Sequence, residues 1–135
     1  METRAYVLVV EDAGIQVRLM ELALSRAGFE VTAAWDGHEA LRCIDQRRPD
    51  AIILDVEMPG MNGFQVLDVL RADPFTADIP VLMLTAHAKD SVLFEEWAKP
   101  ADAFLTKPFS PAQLIAEVRR ALGAVGPLET VPQVA

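Results

Sequence analysis

The sequence predicts an α/β fold of the (βα)5 type, a doubly wound sheet of five parallel strands. Short apolar runs alternate along the chain with longer stretches of helical periodicity, as expected for strands joined by crossover helices. The run at 81–84 is apolar throughout, which is typical of a strand covered on both faces. The chain has 135 residues and is 52% hydrophobic, enough for one domain of this kind.

The predicted strands are short apolar runs separated by turn-forming or polar residues. Their order along the chain leaves room for a helix after each strand. The five runs are Tyr6–Val10, Phe29–Ala34, Ala51–Leu54, Val81–Leu84 and Ala103–Leu105.

The first helix is predicted from about Gly14 to Ala27, because Gly28 favours a helix C-terminus. Asp36 is the expected cap of the second helix, and Ser110 with Gln113 forms a capping-box pattern at the start of the last. The expected inward residues are, helix by helix, Ile15, Leu19, Leu22 and Ala23; Ala40, Leu41 and Ile44; Leu67 and Leu70; Val92, Leu93 and Trp97; and Ile115, Val118 and Leu122.

Composition limits the classes of function and location. The formal net charge of −8 argues against a surface for nucleic acid or anionic membrane. Cys43 is the single cysteine, so no intramolecular disulfide can form, which suits a reducing compartment. No apolar stretch approaches the about 20 residues of a membrane-spanning helix, and the N-terminus lacks the apolar core of a signal peptide. We therefore expect a cytoplasmic protein.

Polar residues follow four of the predicted strands: Glu11 and Asp12, then Asp55, Thr85 and Lys107. The carboxyl ends of neighbouring parallel strands meet at one edge, where such sheets bind ligands. Asp55 follows the central strand and is the best candidate nucleophile, so the pattern favours cation-assisted phosphorylation of a carboxylate. Taken singly, the acidic pair is better explained as the start of a helix, and a solvated loop position is usual for a lysine.

These residues together resemble the receiver domain of two-component response regulators, the flavodoxin-like fold of chemotaxis regulators. The resemblance covers about residues 5–122. It implies the strand order 2-1-3-4-5 and a cis peptide bond before Pro108. The matching signals are Glu11-Asp12, Asp55 with Met58-Pro59 and Gly63, Thr85-Ala86, and Lys107-Pro108.

The resemblance also implies roles for the site residues. Asp55 matches the phosphoacceptor, and Lys107 would pair first with its carboxylate and then with a phosphoryl oxygen. Asp12 and Asp55 would bind Mg²⁺ or Mn²⁺ directly. Glu11 would act through water, and the backbone carbonyl of Glu57 would supply a further ligand.

The resemblance implies that a second group of residues acts in switching and in setting the lifetime of the phosphoryl group. Thr85 would bond a phosphoryl oxygen, and Phe104 would turn inward beside it. Glu57 and His87 occupy positions that tune loss of the phosphoryl group. From the residues alone, Phe104 is also suited to a permanent core position, and Glu57 and His87 to ordinary exposed positions.

The function predicted is therefore a phosphorylation-activated switch, a receiver that catalyses only its own phosphorylation and dephosphorylation. Its phosphate would come from a sensor histidine kinase or a phosphotransfer protein, and its target would be another protein. The fourth helix, fifth strand and fifth helix are the expected surface for partners or dimerisation. We expect the receiver domain at 1–123 and a disordered tail at 124–135. The alternatives are a metal-dependent phosphohydrolase using Asp55 and Glu57, and an interaction module that is not phosphorylated.

Overall fold

A computed structural model describes residues 4–86 and 101–123 of the chain. Its five strands form one parallel sheet in the order β2-β1-β3-β4-β5, which confirms the predicted topology. The strands are β1 Tyr6–Val10, β2 Glu30–Ala34, β3 Ala51–Asp55, β4 Val81–Thr85 and β5 Ala103–Thr106.

Helices cover both faces of the sheet, as expected for a doubly wound fold. The described helices are α1 Gly14–Arg26, α2 Gly37–Gln46, α3 Gly63–Ala72 and α4 Pro111–Gly123. Helices α2 and α3 pack on the face that carries Leu8 and Ile52. Helices α1 and α4 pack on the opposite face, which carries Val9 and Ile53. The alternation of strand residues thus divides the core into two layers.

Two predicted structural segments lie outside the described residues. One is the helix expected to carry Val92, Leu93 and Trp97, so the last predicted helix is labelled α4 here. The other is the tail at 124–135. None of the helices in residues 4–86 and 101–123 is long and apolar enough to cross a membrane.

The predicted inner face of α1 is wrong. Met20 and Leu24 are the buried residues of this helix, whereas Ile15, Leu19 and Leu22 are 76%, 56% and 49% exposed. Apolar residues occur on more than one side of α1, so helical spacing fits two different stripes. Only packing against the sheet selects between them.

The predicted helix ends are confirmed. The Asp36 carboxylate accepts from the Glu39 N–H at 2.8 Å. Ser110 and Gln113 cap α4 reciprocally, at 2.8 and 3.1 Å. Gly28 has a φ of +99°, the left-handed conformation that glycine adopts at low cost.

The inner face of α4 needs a correction as well. Leu114 and Val118 are its buried residues, while Ile115 and Leu122 are half-buried at the edge of the same cluster. Leu114 was not predicted. The inward stripe is therefore centred one residue earlier than the spacing of Ile115 and Leu122 suggested.

Candidate functional site

The polar residues at the strand ends lie together at one edge of the sheet. Asp55 is the last residue of β3, which lies between β1 and β4, and Thr85 is the last residue of β4. Glu11 follows β1 directly, and its backbone N–H donates to the Ala34 carbonyl at 3.0 Å. Because all the strands are parallel, their carboxyl ends lie at the same edge of the sheet, and the sheet fixes the backbone positions of these residues.

Lys107 joins two carboxylates at this edge. Its Nζ lies 3.1 Å from Asp55 Oδ1 and 3.3 Å from Glu11 Oε1. Its backbone N–H donates to the Thr85 carbonyl at 2.8 Å, which holds the lysine beside β4. The Lys107–Pro108 peptide bond is cis, as the resemblance implied. The contact with Glu11 was not predicted, because no sequence signal indicates how far a lysine that follows β5 reaches across the sheet.

Burial and mutual contacts shift the pKa values of three charged groups in the site. Glu11 and Asp55 are each only 1% exposed. Burial raises the pKa of Asp55 above its ordinary value, although Lys107 opposes this rise. Burial and the Asp55 charge likewise raise the pKa of Glu11. Burial alone would lower the pKa of Lys107, but its two carboxylate contacts outweigh burial and leave that pKa raised.

Three carboxylates form a candidate metal site. Glu11, Asp12 and Asp55 each offer an oxygen, and these oxygens lie within 4.8 Å of one another. Asp12 is exposed, so solvent reaches one side of the group. Carboxylate oxygens with room for water are the donors that Mg²⁺ and Mn²⁺ prefer. When all three carboxylates are ionised, they and Lys107 together carry a net charge of −2. A divalent cation would neutralise this charge.

The remaining predicted site residues surround this group. Asp55 pairs with Leu84 on β4, so buried Thr85 lies one residue further along the neighbouring strand. Phe104 on β5 is half-buried and packs against the core cluster of the α2–α3 face. Glu57 is exposed, two residues beyond Asp55. His87 lies outside the described residues, and the roles implied for all four stay predictions.

A family model for the response regulator receiver domain matches residues 7–119. The chain belongs to this family. This receiver domain is 36% identical over 121 residues to the phosphate regulon transcriptional regulatory protein PhoB of Pseudomonas aeruginosa. The match covers 90% of the chain and 53% of PhoB, so the chain spans about half the length of that relative.

Two solved structures give the same assignment. The Vibrio cholerae chemotaxis protein CheY4 superposes on the receiver domain with a TM-score of 0.83 at 36% identity, covering 89% of the chain and 100% of CheY4. The receiver domain of the Pseudomonas aeruginosa sensor histidine kinase PA1611 has a TM-score of 0.81 at 29% identity, covering 90% and 99%. That second structure has a magnesium ion coordinated in its active site cleft. The predicted fold and family are confirmed.

The buried carboxylates lead to a prediction about stability. We expect Asp55→Asn to stabilise the metal-free receiver domain at neutral pH by about 1 kcal/mol, because the variant buries one negative charge fewer. With its pKa raised by burial, folded wild type holds the Asp55 proton more tightly than the unfolded chain does. Its stability therefore falls as pH rises from the ordinary carboxyl pKa of about 4 through the raised value.

Urea unfolding in excess chelator between pH 4 and 8 measures this effect. The advantage of Asp55→Asn should grow with pH and then level off above the raised pKa. Asp68→Asn, at an exposed position of α3, is the control and should change stability little at any pH. A variant that is less stable than wild type throughout the range would contradict the prediction.

Proposed function

We propose that this receiver domain is a switch that accepts a phosphoryl group on Asp55 from a sensor histidine kinase or phosphotransfer protein. One observation carries the proposal. A buried carboxylate at the end of the central strand has an ammonium 3.1 Å away and two further carboxylates beside it. The family assignment supports the same function and gives no support to a phosphohydrolase or an unphosphorylated module.

The proposed reaction transfers a phosphoryl group from a nitrogen or oxygen atom of the donor to the Asp55 carboxylate. An Asp55 carboxylate oxygen attacks phosphorus, and the bond from phosphorus to the donor's imidazole nitrogen or acetate oxygen breaks. The product is an acyl phosphate on Asp55, and the donor leaves with the bonding electron pair. Water later attacks the same phosphorus and releases inorganic phosphate, which restores the carboxylate. In this proposal the receiver domain catalyses only its own phosphorylation and dephosphorylation.

The residues of the site have distinct parts in this reaction. Lys107 pairs with the Asp55 carboxylate before transfer and with a phosphoryl oxygen afterwards, so a counter-charge is present throughout. Asp12 and Asp55 would hold Mg²⁺ or Mn²⁺, with Glu11 acting through water and Glu57 through its backbone carbonyl. When bound, the cation neutralises charge that develops on the transferred group. The magnesium in the PA1611 receiver structure supports this choice of metal.

The output of the switch is a changed protein-binding surface. The Thr85 hydroxyl would donate a hydrogen bond to a phosphoryl oxygen, and Thr85 would shift slightly towards it. Phe104, which is already half-buried, would turn inward and fill the space that this shift of Thr85 opens. Glu57 and His87 would affect the water that removes the phosphoryl group. We propose another protein, or a second copy of the chain, as the target, since the net charge of −8 argues against nucleic acid. We also propose a cytoplasmic location, which the single cysteine supports.

Intact mass after incubation with acetyl phosphate and Mg²⁺ tests the proposed function. We expect wild type to gain one phosphoryl group and Asp55→Asn to gain none, because an amide cannot accept it in the same way. Asp68→Asn controls for the loss of an acidic side chain and should behave as wild type. Turnover of added phosphoesters without a mass gain would instead support the phosphohydrolase.

A further inference from the structure

Gly63 allows α3 to begin against the backbone of Asp55. It is the buried first residue of α3. A methyl group in place of its hydrogen would overlap the Asp55 carbonyl oxygen and lie 2.9 Å from Val56 Cα and 3.1 Å from the Asp55 carbonyl carbon. These are backbone atoms at the end of β3 and cannot rotate away as a side chain would. Only glycine therefore permits this approach without movement of β3 or α3.

Two backbone hydrogen bonds close the loop between β3 and α3 at the same point. The Val56 N–H donates to the Leu84 carbonyl at 2.9 Å, which continues the pairing of β3 with β4. The Gly63 N–H donates to the Val56 carbonyl at 3.0 Å. Val56 is therefore held by β4 on one side and by α3 on the other. Glu57 is the next residue, so its backbone position depends on this closure.

A reciprocal cap fixes where α3 begins. The Asn62 side chain accepts from the Gln65 N–H at 3.0 Å, and the Gln65 side chain accepts from the Asn62 N–H at 2.9 Å. The cap and the Gly63 contact therefore act on the same turn, and together they set where α3 begins. Any side chain added at Gly63 must displace either this capped turn or the strand that carries Asp55.

We propose that Gly63 is a positioning residue for the metal site, because it sets the backbone from which the Asp55 carboxylate and the Glu57 carbonyl project. The inference rests on the proposed function, since it concerns the same site. A side chain at position 63 shifts these two oxygen donors, and metal affinity depends on their placement. If a folded variant at position 63 binds Mg²⁺ more weakly than wild type, Gly63 positions the metal site and does not contribute to stability alone.

Gly14→Ala is a matched control for Gly63→Ala. Both glycines are the first residue of a helix at the same edge of the sheet, but a methyl group at Gly14 meets no atom within 4 Å. Calorimetric titration of the metal-free proteins with Mg²⁺ is the measurement. We expect Gly63→Ala to bind Mg²⁺ about tenfold more weakly than wild type and Gly14→Ala to bind it as wild type does. Equal affinity of folded Gly63→Ala and Gly14→Ala would overturn the inference.

If Gly63→Ala does not fold, a second pair of variants, which removes atoms rather than adding them, tests the same inference. Asn62→Ala removes the cap of α3, and Asp36→Ala removes the corresponding cap of α2. We expect only Asn62→Ala to weaken Mg²⁺ binding, and equal affinities would overturn the inference. Wild type tested for phosphorylation in parallel separates the two proposals. Its failure to gain a phosphoryl group would refute the proposed function, whereas the affinity comparison bears on Gly63 alone.

Discussion

Phosphorylation of Asp55 is expected to slow by at least about a hundredfold when divalent cations are removed. Among the described residues, three carboxylates lie with the Lys107 ammonium at this edge of the sheet, and the incoming phosphoryl group brings further negative charge. Each pair of like charges at about 4 Å costs roughly 4 kcal/mol at an effective dielectric of about 20. One such pair left without compensation at the transition state is enough for a decrease of this size.

The measurement is phosphoryl incorporation over time from acetyl phosphate, followed by intact mass in excess chelator and after Mg²⁺ is restored. The rate should return when Mg²⁺ is added in excess of the chelator, which shows that the protein was not damaged. Circular dichroism in chelator checks that the sheet and helices persist without metal. Equal rates with and without divalent cation would contradict the prediction and would remove the reason for assigning a metal role to Asp12.

The sheet and the site edge could be predicted because both depend on a pattern along the chain. Buried parallel strands are apolar throughout, so their ends are visible as a change from Leu54 to Asp55 or from Leu84 to Thr85. Parallel pairing then brings those ends to one edge whatever the side chains do. The acidic pair and Asp55 consequently lie within reach of one ion, as the sequence indicated.

Features that depend on three-dimensional packing could not be predicted in the same way. Helix α1 has apolar residues on several sides, so Ile15 and Leu19 were assigned inward while Met20 and Leu24 are the residues that pack on the sheet. The contact of Lys107 with Glu11 crosses two intervening strands. By contrast, the capping box of α4 was predicted from the sequence, because Ser110 is followed three residues later by Gln113.

Replacing Lys107 with alanine is expected to slow phosphorylation by about a hundredfold or more. The ammonium is 3.1 Å from the Asp55 carboxylate, and the Lys107 backbone from which it extends is hydrogen-bonded to the Thr85 carbonyl. It is therefore already placed to stabilise negative charge as the phosphoryl group arrives, and removing one such placed donor typically costs about 10²–10³ in rate. Lys107→Arg should restore little, because a planar guanidinium does not fit the space of an ammonium.

The same substitution should have the opposite effect on metal binding. Without Lys107, the cluster of Glu11, Asp12 and Asp55 keeps its negative charge and loses the positive charge that repels a cation. Mg²⁺ should therefore bind Lys107→Ala at least as tightly as wild type, while transfer is slow even at saturating Mg²⁺. Thr106→Ala, at the exposed neighbouring position, should match wild type in both measurements. Parallel loss of metal affinity and rate in Lys107→Ala would indicate a damaged site, and an unchanged rate would show that the lysine has no part in transfer.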